Sequence, residues 1–382
     1  MNHVYVVLGA GMQGQAAAYD FGKFGDAGKI ILCDANEDAA KSAVERLNKL
    51  LHTQIFTHAT VDVRDETKVL EILQQGDVCL SAVPYFFNVR LTNIAVQAKC
   101  HFCDLGGNTN VVFKQHAFDE LAKNIGITIA PDCGLAPGMA NILAVHGINS
   151  LQHPQKAHIR VGGLPQHPRP PLGYSLVFSM EGLTNEYFGK AHVLKNGKRV
   201  EVDTFTELEK MTFPEPYGEC EAFMTAGGTS TCPWTFEGIL EEYDEKTIRY
   251  PGHYEKMKTI HELGLLDLEP VQVGDQTVVP RQLFHAVVGP KLKSDDPQDV
   301  VLLRVVVSGE NKKMVMDLID TYDAGTGFTA MQRTTGFGAA IVGIMLADGV
   351  LPKGSIRLEQ AIDPEKYIQA MQQRGFDLQI KI

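Results

Sequence analysis

The sequence predicts an α/β protein: a doubly wound parallel sheet followed by a second, α+β domain built on a mixed or antiparallel sheet. Three observations predict it. Short apolar runs alternate with helix-like patterns from residue 4 to about 131, which implies strand–helix–strand crossovers. The runs are continuous rather than alternating, as in Val4-Tyr5-Val6-Val7-Leu8, so both faces of the sheet are covered. After Pro137-Gly138 the regularity stops.

The elements follow in order. Ile30-Ile31-Leu32-Cys33 is a second strand, ending at Asp34, with a helix starting near Gly11 between it and the first. Asn36 sits where a helix cap belongs, before Ala39, Ala40, Ala43, Val44, Leu47 and Leu50 at helical spacing. Ile55 to Val61 reads as the third strand, and Asp65 can cap the helix carrying Val69, Ile72 and Leu73. Strands at Val78–Val83, His101–Leu105 and Ile127–Ala130 follow, with helices at Asn88–Lys99 and Lys114–Asn124.

A helical stretch, Met139 to Ile148, leads out of this first domain. Beyond it, Ala157–Val161 and Val300–Val307 read as strands, and Val193 to Lys198 carries an Asn-Gly hairpin turn. Gly309-Glu310-Asn311 turns the chain back toward Met314–Ile319, and helices fall at His253–Leu263 and Pro280–Val288. The small, apolar stretch Thr335–Leu346 is expected to return to the first domain, in preference to being a buried helix of the second. The expected domains are 1–137, 138–331 and a returning segment, 332–382.

Composition narrows the function classes. The chain has 382 residues, 44% of them hydrophobic and 21% charged, with a formal charge of −11. An acidic balance argues against nucleic acid as a partner, and no apolar run approaches the roughly 20 residues of a membrane span. The opening Met1-Asn2-His3-Val4-Tyr5 is already strand-like, so no secretory signal is expected. Seven scattered cysteines suit a reducing, cytoplasmic setting. Cys100 and Cys103 form a C-x-x-C with no second ligand pair, and no metal site is expected.

The first strand runs into Gly9-Ala10-Gly11-Met12-Gln13-Gly14 and then a helix. Gly9 permits the tight turn, Gly11 lets a pyrophosphate approach the backbone, and Gly14 lets the helix pack on its strand. Free N–H groups of the first helical turn, including those of Met12 and Gln13, then face the phosphates. Asp34 follows the last glycine by twenty positions and can accept hydrogen bonds from ribose hydroxyls while repelling a 2′-phosphate. The expectation is a Rossmann domain binding NAD in preference to NADP. Ligands bind beyond the carboxyl ends of such strands. There Asp62 could meet the adenine, and Ala82-Val83-Pro84-Tyr85 should lie beside the nicotinamide or its ribose. Asp104 and Asp132 end the fifth and sixth strands; each is either functional or a cap of a helix or turn.

Two polar clusters mark the second half: Glu221 to Thr231, with hydroxyls and a Gly-Gly pair, and Lys246 to His253. An arginine fork suits a substrate carboxylate, and a histidine can move protons at neutral pH. Each is also compatible with a solvated loop.

Pro131-Asp132-Cys133-Gly134-Leu135-Ala136-Pro137-Gly138-Met139 followed by Asn141 resembles the cofactor-domain exit of the saccharopine dehydrogenase family. Pro171 to Tyr174 with Val177 to Leu183, Glu221 to Thr231, and Lys246 to His253 resemble its lysine 6-dehydrogenase branch, although Gly173 stands where that branch has a longer polar residue. The resemblance extends through Gln332-Arg333-Thr334-Thr335 and the tail. It implies a cofactor domain joined to a substrate domain with the active site between them, a homodimer or homotetramer, and oxidation of a C–N bond in a lysine-derived amino acid. It also implies that the Thr225 to Thr231 loop and Arg249 face the substrate.

The expected reaction oxidises the lysine ε-amine to the semialdehyde. Arg249 would hold the α-carboxylate, with Lys246, Tyr174, Thr225 and Thr229 around it, and Asp104, His253 or Asp132 would act in catalysis. The alternatives are a saccharopine dehydrogenase or related reductive condensing enzyme, with Arg304 or Arg333 holding a second carboxylate, and a dinucleotide sensor without turnover.

Overall fold

A computed structural model describes residues 2–382. The first strands and helices alternate as follows: β1 (His3–Leu8), α1 (Met12–Phe24), β2 (Ala27–Asp34), α2 (Glu37–Leu51), β3 (Phe56–Thr60), α3 (Glu66–Leu73), β4 (Val78–Ser81), α4 (Asn88–Ala98), β5 (His101–Asp104), α5 (Thr109–His116), α6 (Asp119–Ile125), β6 (Thr128–Ala130) and α7 (Met139–Ser150). All strand pairings among β1–β6 are parallel, in the order β6-β5-β4-β1-β2-β3. The reversal beside β1 places the ends of β1 and β4 next to each other. Val6, Leu8, Ile31, Cys79 and Phe102 point into one buried core with Leu91 and Ile94 of α4, so the continuous apolar runs reflect a sheet covered on both faces.

Local chemistry sets the helix ends. Asn36 Oδ1 accepts from the Asp38 and Ala39 amides, and Asp65 caps α3 through the Lys68 amide. The expected single helix 114–124 is instead two, α5 and α6, broken at Ala117-Phe118.

The second sheet is built from β7 (Pro154–Pro165), β8 (Lys190–Lys195), β9 (Lys198–Asp203), β10 (Glu209–Thr212), β11 (Glu219–Met224), β12 (Glu242–Arg249), β15 (Asp299–Gly309) and β16 (Lys313–Thr321); β13 (Val271–Val273) and β14 (Gln276–Val278) form a separate hairpin. Only β12 and β7 pair in parallel, and the other partners are antiparallel. The sheet is therefore mixed. Asn196 and Gly197 both take positive φ (52° and 74°), as a two-residue turn between β8 and β9 requires.

Late elements complete both sheets. β17 (Gly354–Ser355) joins β6 as the seventh parallel strand, and the apolar helix Gly338–Ala347 packs on α1, β4 and β5. β18 (Leu378–Lys381) pairs antiparallel with β16. One compact unit thus comprises the chain up to His146, Ser230–Thr235 and Gln332–Phe376; the other comprises Gly147–Thr229, Phe236–Met331 and Asp377–Ile382. Segment 332–382 is not one piece: its last six residues belong with the mixed sheet.

Within the first unit, Arg374 donates to both oxygens of Asp20 at 2.7–2.9 Å, deep in the interior. All seven cysteines are buried as thiols. Among the described residues, no helix is long and apolar enough to cross a membrane, and no His, Cys, Asp and Glu group could hold a metal ion.

Candidate functional site

In the first unit, the glycine loop lies between β1 and α1. Gly9 has a φ of +101°, and a Cβ there would stand 2.8 Å from Ala82 O; at Gly14 it would stand 1.8 Å from Gly9 O. Neither position tolerates a side chain. At Gly11 a Cβ would meet no protein atom within 4 Å, so the space a phosphate needs is open. Gly11 caps α1 without a side-chain acceptor, leaving the first-turn amides available to an anion. Gln13 adds polar groups suited to a ligand: its amide nitrogen and oxygen are both buried without a protein partner. These features fit a dinucleotide pyrophosphate.

Asp34 ends β2 beside this loop. Its Oδ2 accepts from the Ala10 amide at 2.9 Å and its Oδ1 from the Asn36 amide at 2.9 Å. The carboxylate therefore shapes the loop. Asp62 differs from expectation in its surroundings: Arg64 grips it through Nε (2.9 and 3.0 Å) and a terminal nitrogen (2.5 Å), which lowers its pKa to about 2. Ala82 continues from β4, its amide bonded to Leu8 O, and Val83 packs at the edge of the core. Pro84 opens a short 3-10 turn, Tyr85–Phe87.

Asp104 and Asp132 meet. Asp104 Oδ1 accepts from the amides of Gly106 (2.8 Å) and Asp132 (3.2 Å), and Oδ2 accepts from Gln115 Nε2 (2.6 Å). It is fully buried, which raises its pKa to about 6 despite those donors. Asp132, at a φ of +63°, accepts from Ser230 Oγ at 2.5 Å and from the Gly107 amide at 3.3 Å. Burial, with the charge of Asp104 next, raises Asp132 to about 7. Nearby, Glu359 Oε1 accepts from Thr231 (2.7 Å) and Thr235 (2.6 Å). The sequence reading had no reason to pick Glu359, because its partners lie more than 120 positions away.

In the second unit, a directed hydrogen-bond chain is buried around Arg249. His253 Nδ1 faces Leu172 O at 3.1 Å, a carbonyl that can only accept, so Nδ1 carries the proton. Nε2 then accepts from Tyr187 Oη (2.9 Å), and Tyr187 in turn accepts from Arg249 Nε (2.8 Å). Burial, followed by the charge of Arg249, lowers His253 to about 3. The ring is neutral at physiological pH with both nitrogens engaged, so its geometry is that of a prop for Arg249.

Arg249 also donates to Ile248 O (2.9 Å) and pairs closely with Glu186, and its guanidinium lies over the Tyr174 ring at 4.8 Å. Three of its five N–H donors are engaged by these partners, leaving two. Burial raises Glu186 to about 7 against the pull of Arg249. Further along the same face of β12 stand Thr247 and Glu245. Thr225 Oγ1 is 2.7 Å from Thr247 Oγ1 and 3.4 Å from Glu245 Oε2. Thr229 donates to His192 O at 2.9 Å.

Lys246 requires a correction. Successive strand residues point to opposite faces, and Lys246 faces away from Arg249, bonded to Glu207 O (2.8 Å) and Glu209 (3.0 Å). Arg304 is engaged by Asp317 at 2.7 and 3.0 Å, and Arg333 lies over the rings of Phe337 and Phe376. Glu186 and Glu245 were missed by the sequence reading. Glu245 lies one residue before the Lys246–His253 cluster, and Glu186 ends the short helix Met180–Glu186.

The chain matches the family model described as saccharopine dehydrogenase NADP binding domain over residues 5–130, and the one described as saccharopine dehydrogenase C-terminal domain over residues 134–376. It is similar to the saccharopine dehydrogenase (NADP(+), L-glutamate-forming) of Pyricularia oryzae, 25% identical over 260 residues, covering 65% of this chain and 56% of that protein. The Saccharomyces cerevisiae protein of the same description is 25% identical over 260 residues, covering 62% and 54%. The chain therefore spans a little over half the length of these relatives. Among solved structures, saccharopine dehydrogenase (L-Glu forming) from Saccharomyces cerevisiae matches 100% of this chain and 99% of its own, with a TM-score of 0.75 at 18% identity, a likeness of fold.

Proposed function

Because the chain belongs to the saccharopine dehydrogenase family, we propose that it is a nicotinamide-dependent oxidoreductase acting on the C–N bond of a lysine-derived amino acid. The donor in this reading is the lysine ε-amine and the dinucleotide is NAD; hydride loss leaves an imine, which water hydrolyses to the semialdehyde with release of ammonia.

The observation that carries the proposal is the open glycine loop backed by Asp34, with the unpartnered Gln13 amide beside it. Gly9, Gly11 and Gly14 with the first turn of α1 would hold the pyrophosphate, and Asp34 the adenosine ribose. The matched family model and two relatives carry NADP in their descriptions. Asp34 supports NAD because its carboxylate repels a 2′-phosphate; NADP is the second reading. When bound, the nicotinamide accepts the hydride.

The remaining chemistry rests on the second unit. Arg249, oriented by Tyr187 and His253, offers its two remaining donors to the substrate carboxylate. Only a neutral amine releases hydride from its carbon, so an ammonium must first lose a proton. Glu186 and Glu245, raised to about 7 and about 8, suit that transfer at neutral pH better than His253.

The test is reduced-nicotinamide absorbance with NAD or NADP and with lysine or saccharopine. NADH formed from lysine supports the proposal. Reduction only with saccharopine moves the function to the saccharopine dehydrogenase reading, and no reduction with any pair leaves a dinucleotide sensor.

A further inference from the structure

Resting on the reading of the glycine loop as the dinucleotide site, we propose that Gln332 is a positioning residue for the pyrophosphate. From late in the chain it holds the Met12–Gln13 peptide so that the Gln13 N–H is aimed and strengthened as a phosphate donor. Gln332 Nε2 donates to Met12 O at 2.9 Å across 320 positions. A carbonyl can only accept, so it is the amide nitrogen that faces it. Met12 is the first residue of α1, and its carbonyl shares a planar trans peptide with the Gln13 N–H. The two groups therefore point in opposite directions, and holding one fixes the other. The first bond of the helix runs from Gln15 N to Gly11 O at 3.0 Å. The Gln13 N–H thus precedes the intrahelical ladder and points out of the end of α1. A donor on one side of a peptide polarises it and strengthens the donor on the other, most of all away from water. Gln332 is 7% exposed.

The backbone that carries Gln332 is built for this approach. Gln332 leads into a π-helical turn, Arg333–Phe337, ahead of the helix Gly338–Ala347. Such turns are rare and recur at functional sites. This one is pressed against α1: a Cβ at Gly336 would lie 2.6 Å from Ala16 Cβ and 3.0 Å from both Ala17 N and Gln13 O. Ala16 and Ala17 are small and fully buried, which lets the two backbones come this close. Phe337 stacks on Tyr19 with 6.0 Å between ring centres. The contacts run along α1 from Met12 to Tyr19, and Gln332 makes the one at the end where the glycine loop opens.

Packing alone does not call for an amide at this position. Gly336 and Phe337 already fasten the turn to α1, and a methionine would fill the volume of Gln332. What the amide adds is a donor directed at one carbonyl of the first helical turn. The same residue, Gln13, carries the side-chain amide that is buried without a protein partner. Its backbone and its side chain therefore offer polar groups together, and Gln332 orients the backbone one.

The test is binding of NADH and NADPH without amino acid, followed by nicotinamide fluorescence, with the tighter of the two carried forward to phosphorus NMR at saturation. Gln332→Met keeps the length and packing of the side chain and removes the donor. It is expected to weaken the dinucleotide roughly fivefold, the worth of one hydrogen bond, and to move the pyrophosphate resonances of the bound dinucleotide. Gln332→Glu keeps the shape, cannot donate when ionised and brings a negative charge toward the phosphates. It should weaken binding further, and it serves if the first variant fails to fold. Unchanged affinity in either folded variant overturns the proposal. Weakened affinity with unmoved phosphorus resonances also overturns it, since Gln332 would then act through packing alone. Wild-type protein that binds neither dinucleotide overturns the cofactor reading and this proposal together.

Discussion

Ser230 donates its hydroxyl to Asp132 Oδ2 at 2.5 Å across 98 positions of sequence, fixing a carboxyl group whose pKa is near neutrality. The raised values of Asp132 (about 7) and Asp104 (about 6) mean that the folded chain holds protons the unfolded chain releases. Their contribution to stability is complete below the ordinary carboxylate range and is lost as pH rises from about 4 to about 7. Asp132→Asn tolerates the left-handed backbone and removes one of the two titrations. Urea unfolding at pH 5 and pH 8 should show a smaller drop in stability with rising pH than in the wild type; an equal drop would place the titration elsewhere.

Removing Arg374 should damage the fold more than any surface change. Asp20 would be left as an uncompensated carboxylate at 0% exposure, a loss of about 3–5 kcal/mol. Arg374→Met is expected to lose that amount in chemical denaturation, and Asp20→Asn combined with it to recover a large part. Failure of the double variant to recover would mean that packing of the arginine stem dominates.

Tyr187→Phe removes the acceptor of Arg249 Nε and the donor to His253 Nε2 while keeping the ring. A buried hydrogen-bond partner lost in this way costs about 1–3 kcal/mol. The KM for the amino acid should rise roughly tenfold, with dinucleotide affinity within twofold of wild type. Equal weakening of both ligands would assign the chain of bonds to folding alone.

Asp34→Ser keeps a cap acceptor for Asn36 and removes the charge. The ratio of kcat/KM for NAD over NADP should fall by at least tenfold, since the ribose loses a charged acceptor and a 2′-phosphate loses its repulsion. An unchanged ratio would show that Asp34 acts only on the glycine loop.

The alternating part of the fold was legible because each of its signals is local. The Val4–Leu8 run, the Asn36 and Asp65 caps and the glycine loop are decided by neighbours a few residues away. The single helix expected at 114–124 was not correct, because Lys114 to Asn124 carries no glycine or proline at Ala117-Phe118 where the axis breaks. The candidate site was legible in type but not in partnership. Arg249 and His253 stood out as titratable groups close together, whereas their orientation depends on Tyr187 and Leu172, more than 60 positions upstream. Lys246 was grouped with Arg249 by proximity in sequence, and the twofold repeat of a strand separates them. Glu359 and Glu186 gave no local sign at all.

The late arrival of residues 332–376 in the first unit also bears on biosynthesis. After 146 residues a ribosome has made six of the seven parallel strands, but not the helix Gly338–Ala347 that covers α1, β4 and β5, nor the arginine that neutralises Asp20. The nascent chain must hold that apolar surface uncovered through nearly two hundred further residues of elongation. At roughly 5–20 residues per second this is an interval of tens of seconds or less, during which a nascent-chain chaperone would find its binding surface on the bare face of the parallel sheet.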